Sequence, residues 1–161
     1  YIQRITIGCG QSPLRYCPSN NVTRGEMAAF IIRAKFGEDF TYTQTPYFTD
    51  VPDTHNFFKY VQKMKDEGIT TGYGDGTYGV SDPVTRGQMA TFIIRAKFGE
   101  NFTYTPTPYF TDVPSDYLFF KYIQKLKDEN ITVVSGTYNP FQEVPREQMA
   151  AFIGRGFIGM K

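Results

Sequence analysis

"VTRGEMAAFIIRAKFGE" (Val22–Glu38) is followed in the same chain by "VTRGQMATFIIRAKFGE" (Val84–Glu100), and then by a looser copy, "VPREQMAAFIGRGF" (Val144–Phe157). The first two copies stay in register from Thr23 to Val51 and from Thr85 to Val113. Over those 29 residues 4 positions differ: Glu26/Gln88, Ala29/Thr91, Asp39/Asn101 and Gln44/Pro106. The spacing is 62 residues from Arg24 to Arg86 and 60 from Arg86 to Arg146. Self-similarity at a nearly fixed period marks a repeat architecture. Recurring apolar positions need only a shared fold, whereas an arginine opening every copy asks for a further reason.

Working outward, Met27, Phe30, Ile31 and Ala34 form the apolar stripe of a helix over 24–36. The stripe recurs as Met89, Phe92, Ile93 and Ala96 over 86–98, and as Met149, Phe152 and Ile153 over 146–157. Thr23 with Glu26, and Thr85 with Gln88, fit the reciprocal capping box, and Pro145 removes the hydroxyl in the third copy. A second kind of helix is expected over 53–67 and 115–129. There Phe57, Val61 and Met64 match Phe119, Ile123 and Leu126, with Lys59, Gln62, Lys63 and Asp66 on the solvent side. Asp53 and Ser115 are its expected N-caps. Gly68 and Asn130 follow it, the two residue types that best tolerate left-handed backbone after a helix. Between the helix types lie turns rich in glycine and tyrosine. The threonine–aromatic alternation of "FTYTQTPYF" reads as an extended connector that lays Phe40 and Tyr42 on the core.

The 161 residues carry a net charge of +1, which argues against a nucleic-acid partner. No apolar run reaches the length of a membrane span, so no membrane insertion is expected. The chain opens at Tyr1 without a signal-peptide pattern, which reads as a processed form or a fragment of a longer chain. Cys9 aligns with Tyr73 and Ser135, and Cys17 with Gly79 and Asn139, so both cysteines are missing together from the other copies. Joint absence is what a local disulfide predicts, and a disulfide favours an oxidising, extracellular compartment. His55 is the only histidine. No cluster marks a catalytic centre, a metal site or a cofactor, so neither an enzyme nor a cofactor is expected. The triplets at Asn21, Asn101 and Asn130 match the N-glycan acceptor pattern but fall at turns and caps, which explains them without sugar.

The string running from "YFTDVP" through "YVQK", "GIT" and "PVTRGQMA" resembles the S-layer homology (SLH) domain, with "YFTDVP", "YIQK", "NIT" and "VPREQMA" following in the next copy. The resemblance spans essentially the whole chain, and its Cys-containing turn and "FIGRGFIGMK" ending look like a variety met at the C-terminus of exported bacterial proteins. It implies an all-α fold, mainly helical with long loops. It further implies a pseudo-threefold repeat around a central three-helix bundle. The divisions would be 1–46 (second half of repeat 1), 47–108 (repeat 2) and 109–161 (repeat 3). The first repeat lacks its leading helix. The family attaches secreted proteins to the cell envelope by binding wall polysaccharide, often through acidic substituents such as pyruvate ketals. Its Thr-Arg-x-Glu motif falls on Thr23–Glu26, on Thr85–Gln88 and on Pro145–Gln148, and its arginine is the usual glycan contact. No tryptophan is present, although that residue often lines the family's sugar groove.

The residues themselves leave two readings of the arginines. A cation in the first turn of a helix is mildly disfavoured by the macrodipole, so Arg24, Arg86 and Arg146 need compensating partners. One partner is an acidic glycan, held bidentately, in a groove floored by Tyr16, Tyr73, Tyr78 and Tyr138 and joined by Thr23, Thr85 and Gln88. Arg86 is the first choice because complete repeats flank it. The other is an internal carboxylate, with Asp50, Asp82, Asp112 or Glu143 pinning one repeat to the next. The functional expectation is a noncatalytic envelope-attachment module. Its alternative is a structural subunit that packs against other proteins in an extracellular surface assembly.

Overall fold

The repeated stripe becomes the interior. In the computed structural model, which describes residues 5–6, 8–11 and 14–160, the chain is mainly helical. Helices α1 (Arg24–Phe36), α2 (Phe58–Asp66), α3 (Arg86–Phe98), α4 (Phe120–Asp128) and α5 (Arg146–Ile153) follow in order. Two short strands, β1 (Gly10–Gln11) and β2 (Leu14–Arg15), pair antiparallel ahead of α1. Tyr1, where the first expected repeat begins, lies outside the described residues. Helix α1 packs on α2 and α3 on α4, while α1 also meets α3 and α5. Met27 to Ile32 are all buried, as are Met89 to Ile94. A helix buried nearly all round is a central one, which is why the expected one-sided stripe is wider than foreseen.

Both capping boxes form. Thr23 Oγ1 accepts the Glu26 N–H at 3.2 Å, and the Glu26 carboxylate accepts the Thr23 N–H at 2.9 Å. Thr85 and Gln88 do the same at 3.4 and 3.2 Å. Pro145 makes no side-chain cap. Helix α5 stops being regular at Ile153, short of the expected residue 157, and widens into a π-helical turn over Gly154–Ile158. Gly154 and Gly156 are poor helix formers, and Met160 lies where a side chain on Gly154 would go.

Helix α2 begins at Phe58, not near residue 53. The preceding residues form tight turns instead, with the His55 N–H on Pro52 O and the Phe58 N–H on His55 O, both at 2.9 Å. Phe57 and Phe119 occupy the cap positions without a side-chain bond, so Asp53 and Ser115 do not cap. Each phenylalanine is wedged against the start of a central helix, at Gly25 and Gly87, where a Cβ would collide with its ring. That close approach turns the chain before the helix can begin.

Gln62 is the other correction. Expected on the solvent side of α2, it is fully buried, as is its twin Gln124. Its amide donates to Thr43 O at 2.8 Å and Thr45 O at 2.7 Å and accepts the Tyr47 N–H at 3.1 Å. Gln124 repeats this with Thr105, Thr107 and Tyr109. The connector is extended but joins no sheet, so a buried amide supplies the partners its backbone would otherwise lack. Phe40 and Tyr42 do lie on the core as the alternation implied, against Tyr60 and Phe58.

The C-terminal ends of α1 and α3 are each clamped to the following helix by a charge cluster. Glu38 receives Lys59 Nζ at 2.7 Å, the Tyr60 hydroxyl at 2.8 Å, and Arg33 Nε. Glu100 gathers Arg95, Lys121 and Tyr122 in the same way. Partial burial pushes the Glu38 carboxyl up, but the bonds from Lys59, Tyr60 and Arg33 outweigh it and hold the group down at about 2. Glu100 is lowered for the same reasons.

Two outcomes follow. A carboxyl lowered in the folded state stabilises it above the unfolded value, and that contribution is lost as pH falls through the folded value. The melting temperature should therefore drop as pH falls from about 5 to about 2. A Glu38→Gln/Glu100→Gln double variant should start lower and show a shallower drop; a wild-type curve flat over this window would contradict the clamp. Separately, Gly68 has φ +67° with open space where a Cβ would sit, and Asn130 has φ +55°. Gly68→Ala should cost about 1–2 kcal/mol in urea unfolding, from backbone alone, and Gly68→Asn distinctly less.

Candidate functional site

The three helix-start arginines meet at seams between copies, and the bonds at each seam recur. Val22 N–H donates to Val144 O at 2.9 Å, Val84 to Val22 at 2.9 Å, and Val144 to Val84 at 3.0 Å, closing a ring of backbone bonds. The first helical N–H groups are also taken by neighbouring turns: Arg24 by Asp82 O, Arg86 by Gln142 O and Arg146 by Asn20 O, each at 2.9 Å. Backbone donors at the helix starts, which usually need caps or water, are thus satisfied across seams.

All three arginines are inside. Arg24 is 3% exposed, Arg86 5% and Arg146 3%. Each Nε donates to the carbonyl of a tyrosine in the adjoining turn: Arg24 to Tyr78 at 2.8 Å, Arg86 to Tyr138 at 2.7 Å and Arg146 to Tyr16 at 2.9 Å. Each tyrosine hydroxyl returns a bond to the carbonyl of the same arginine, at 2.9, 3.0 and 2.7 Å. The guanidinium also lies over aromatic faces. Arg24 is 4.4 Å from the Tyr73 centroid and 4.7 Å from Tyr78, Arg86 is 4.5 Å from Tyr138, and Arg146 is 5.3 Å from Tyr16. Such contacts attract a cation more strongly when it is desolvated.

The terminal nitrogens separate the seams. Arg146 reaches the Glu26 carboxylate at 3.1 Å and Thr6 Oγ1 at 2.7 Å. Arg86 reaches only an amide oxygen, Gln148 Oε1, at 2.7 Å. Among the described residues neither Arg24 nor Arg86 has a carboxylate within 4.0 Å. Of the four acids expected as internal partners, none takes that part. Asp50 binds the Tyr78, Gly79 and Val80 N–H groups, and Asp112 those of Tyr138 and Asn139. Asp82 accepts from the Tyr73 hydroxyl at 2.8 Å, and Glu143 from Asn21. Burial raises Asp50, but those backbone bonds bring its carboxyl below the usual range.

The other expected site residues are spread. Thr23, Thr85 and Gln88 are engaged in capping. Tyr78 and Tyr138 are wholly buried beneath the arginines rather than flooring a groove, and burial pushes both phenols up. Tyr73 and Tyr16 are exposed. Cys9 and Cys17 are bridged, with Cα atoms 6.1 Å apart. Cys17, Gly79 and Asn139, aligned by sequence, share positive φ at 52°, 73° and 57°. The sequence reading missed Asp50 and Asp112 as the turn organisers, although the acid recurs in each "YFTD".

This geometry sets the comparisons with known proteins in place. Residues 47–90 match the family model of the S-layer homology domain, so the chain carries that domain. Over 125 residues, 74% of the chain, it is 31% identical to a "Cell surface protein" of Thermoanaerobacter kivui. Over 154 residues, 86% of the chain, it is 29% identical to "Cell surface glycoprotein 1" of Acetivibrio thermocellus. A stretch of 39 residues is 41% identical to the "Middle cell wall protein" of Brevibacillus brevis. The chain spans only 16%, 6% and 4% of these relatives' lengths. The family match and these relatives place the chain in the extracellular cell envelope.

Gln148 serves Arg86 as Glu26 serves Arg146, which makes a test. Glu26→Gln keeps both the cap and the acceptor and should cost less than about 1 kcal/mol in urea unfolding. Glu26→Ala loses the cap and leaves Arg146 short of an acceptor, and should cost about 2–3 kcal/mol. Equal effects of the two would contradict this seam geometry.

Proposed function

We propose that the chain is a noncatalytic module that holds a protein at the cell envelope by binding an acidic wall polysaccharide, of the pyruvylated kind, at arginine seams. In this reading the stretches 1–46, 47–108 and 109–161 act as three repeats around a pseudo-threefold bundle of α1, α3 and α5. The observation that carries it is the pair of buried guanidinium groups, Arg24 and Arg86, without a carboxylate among the described residues. An uncompensated buried cation is costly, and the positive end of the helix adds to the local excess of charge. An anionic sugar substituent supplies what the protein does not. Guanidinium accepts a carboxylate through two parallel bonds. The contacts with Tyr78 and Tyr138 hold these groups in place before a ligand arrives, so less ordering is lost on binding.

The test is sedimentation with isolated cell walls, native and stripped of pyruvyl groups, using wild-type protein and Arg86→Lys. Lysine keeps the charge but not the planar fork, and thermal melting shows that the variant is folded. Removal of pyruvyl groups should abolish pelleting, and Arg86→Lys should weaken it about tenfold. Pelleting indifferent to both changes would overturn the proposal.

A further inference from the structure

The three Asn-x-Thr triplets that match the N-glycan acceptor pattern stand in three different settings. Asn21 lies in an isolated bridge with Pro145, its amide donates to Glu143, and Thr23 is occupied in the capping box of α1. Asn130 holds left-handed backbone after α4, and Thr132 is 1% exposed. A transferase that reads an amide together with the hydroxyl two residues on cannot reach both at either place. Asn101 differs. The sequence puts it at a turn or cap, but it lies in the extended connector that follows α3, exposed together with Thr103. Among the described residues no hydrogen bond engages Asn101, Phe102 or Thr103, so this stretch is free to enter an enzyme's cleft.

The preceding copy supplies a control. There Asp39, Phe40 and Thr41 take the same places, with Phe36 and Lys63 for Phe98 and Lys125. Asp39 is exposed and makes no hydrogen bond among the described residues. Packing therefore does not account for aspartate in one copy and asparagine in the other. What the exchange adds is a carboxamide two residues before a threonine hydroxyl. Asn101 also lines a hollow of about 560 Å³ with Phe98, Phe102, Thr103 and Lys125, between the end of α3 and the side of α4. That size suits a sugar ring. Phe98 and Phe102 are half-buried and present flat apolar surface for a ring's C–H face. Lys125 Nζ, 4.8 Å from the Phe98 centroid, brings donors for its hydroxyls.

We infer that Asn101 is an N-glycosylation site whose first sugar ring rests in this hollow against Phe98, and that Asn21 and Asn130 carry no sugar. In the transfer, Asn101 Nδ2 attacks C1 of a saccharide linked to a polyprenyl diphosphate. The Nδ2–C1 bond forms and the bond from C1 to the diphosphate oxygen breaks. The lipid diphosphate leaves with the electron pair, and Nδ2 gives up a proton to the transferase. The free Thr103 hydroxyl is the second group that the enzyme reads. Phe98 ends the helix that Arg86 begins, about 18 Å away along its axis. A glycan here leaves the arginine seams open, so the inference is independent of the wall-polysaccharide reading.

Glycopeptide mass spectrometry decides this, on protein recovered from the envelope of the cells that make it. Wild-type protein should carry sugar on Asn101 and none on Asn21 or Asn130. Asn101→Asp reproduces the first copy, and Thr103→Val removes only an exposed hydroxyl. Both should lose the sugar, with thermal melting showing that each is folded. Asp39→Asn completes the triplet in the first copy and should add a second sugar at that position. Glycosylated wild-type protein should melt about 2–4 °C above Asn101→Asp, because the ring covers Phe98. Bare Asn101 in the wild type, or sugar on Thr103, Asn21 or Asn130 instead, would overturn the inference. Equal melting temperatures would overturn the placement of the ring in the hollow.

Discussion

A reciprocal pair of hydrogen bonds holds each seam: an arginine Nε–H on a tyrosine carbonyl, and that tyrosine's hydroxyl on the arginine's own carbonyl. The pair ties the first turn of one central helix to the turn that belongs to the next copy. It forces the guanidinium indoors, which ordinarily carries a large desolvation cost. Aromatic faces and the carbonyl acceptor offset part of that cost. What they leave over differs between the copies: Arg146 has a carboxylate, whereas Arg86 has only an amide oxygen and Arg24 the ring of Tyr73, neither of which carries a negative charge. The ring of valine backbone bonds then joins the helix starts into one unit.

Legibility from sequence followed locality. Helices α1 and α3 were readable because Thr23 and Thr85 with their capping partners mark the starts. The left-handed positions at Gly68 and Asn130 were readable because only a few residue types tolerate that backbone. The joint absence of Cys9 and Cys17 from other copies correctly identified the bridge. The start of α2 was not readable, because it is set by Phe57 meeting Gly25, a contact made only in the folded chain. Gln62 was misplaced because helical periodicity assigns polar residues to solvent, whereas a sheetless connector needed an amide inside. The arginines stood out by their recurrence at each helix start. Their partners did not, since a carbonyl oxygen leaves no mark in the sequence.

The two near-identical copies also act as an internal control. Over Thr23–Val51 and Thr85–Val113, 25 of 29 aligned residues are the same, whereas the turn of the third copy departs from that of the second. Gly79, Ser81 and Asp82 become Asn139, Phe141 and Gln142 there, and the turn is two residues shorter. The frame keeps the aspartate that shapes the turn and the arginine beneath it. Function on such a fold is decided in the turns, and the helices decide only where the turns stand.

The most direct measurement is a crystal structure with a bound pyruvylated wall-polysaccharide fragment. The account predicts the acidic substituent directed at the Arg86 seam. A fragment seated away from all three seams would contradict it.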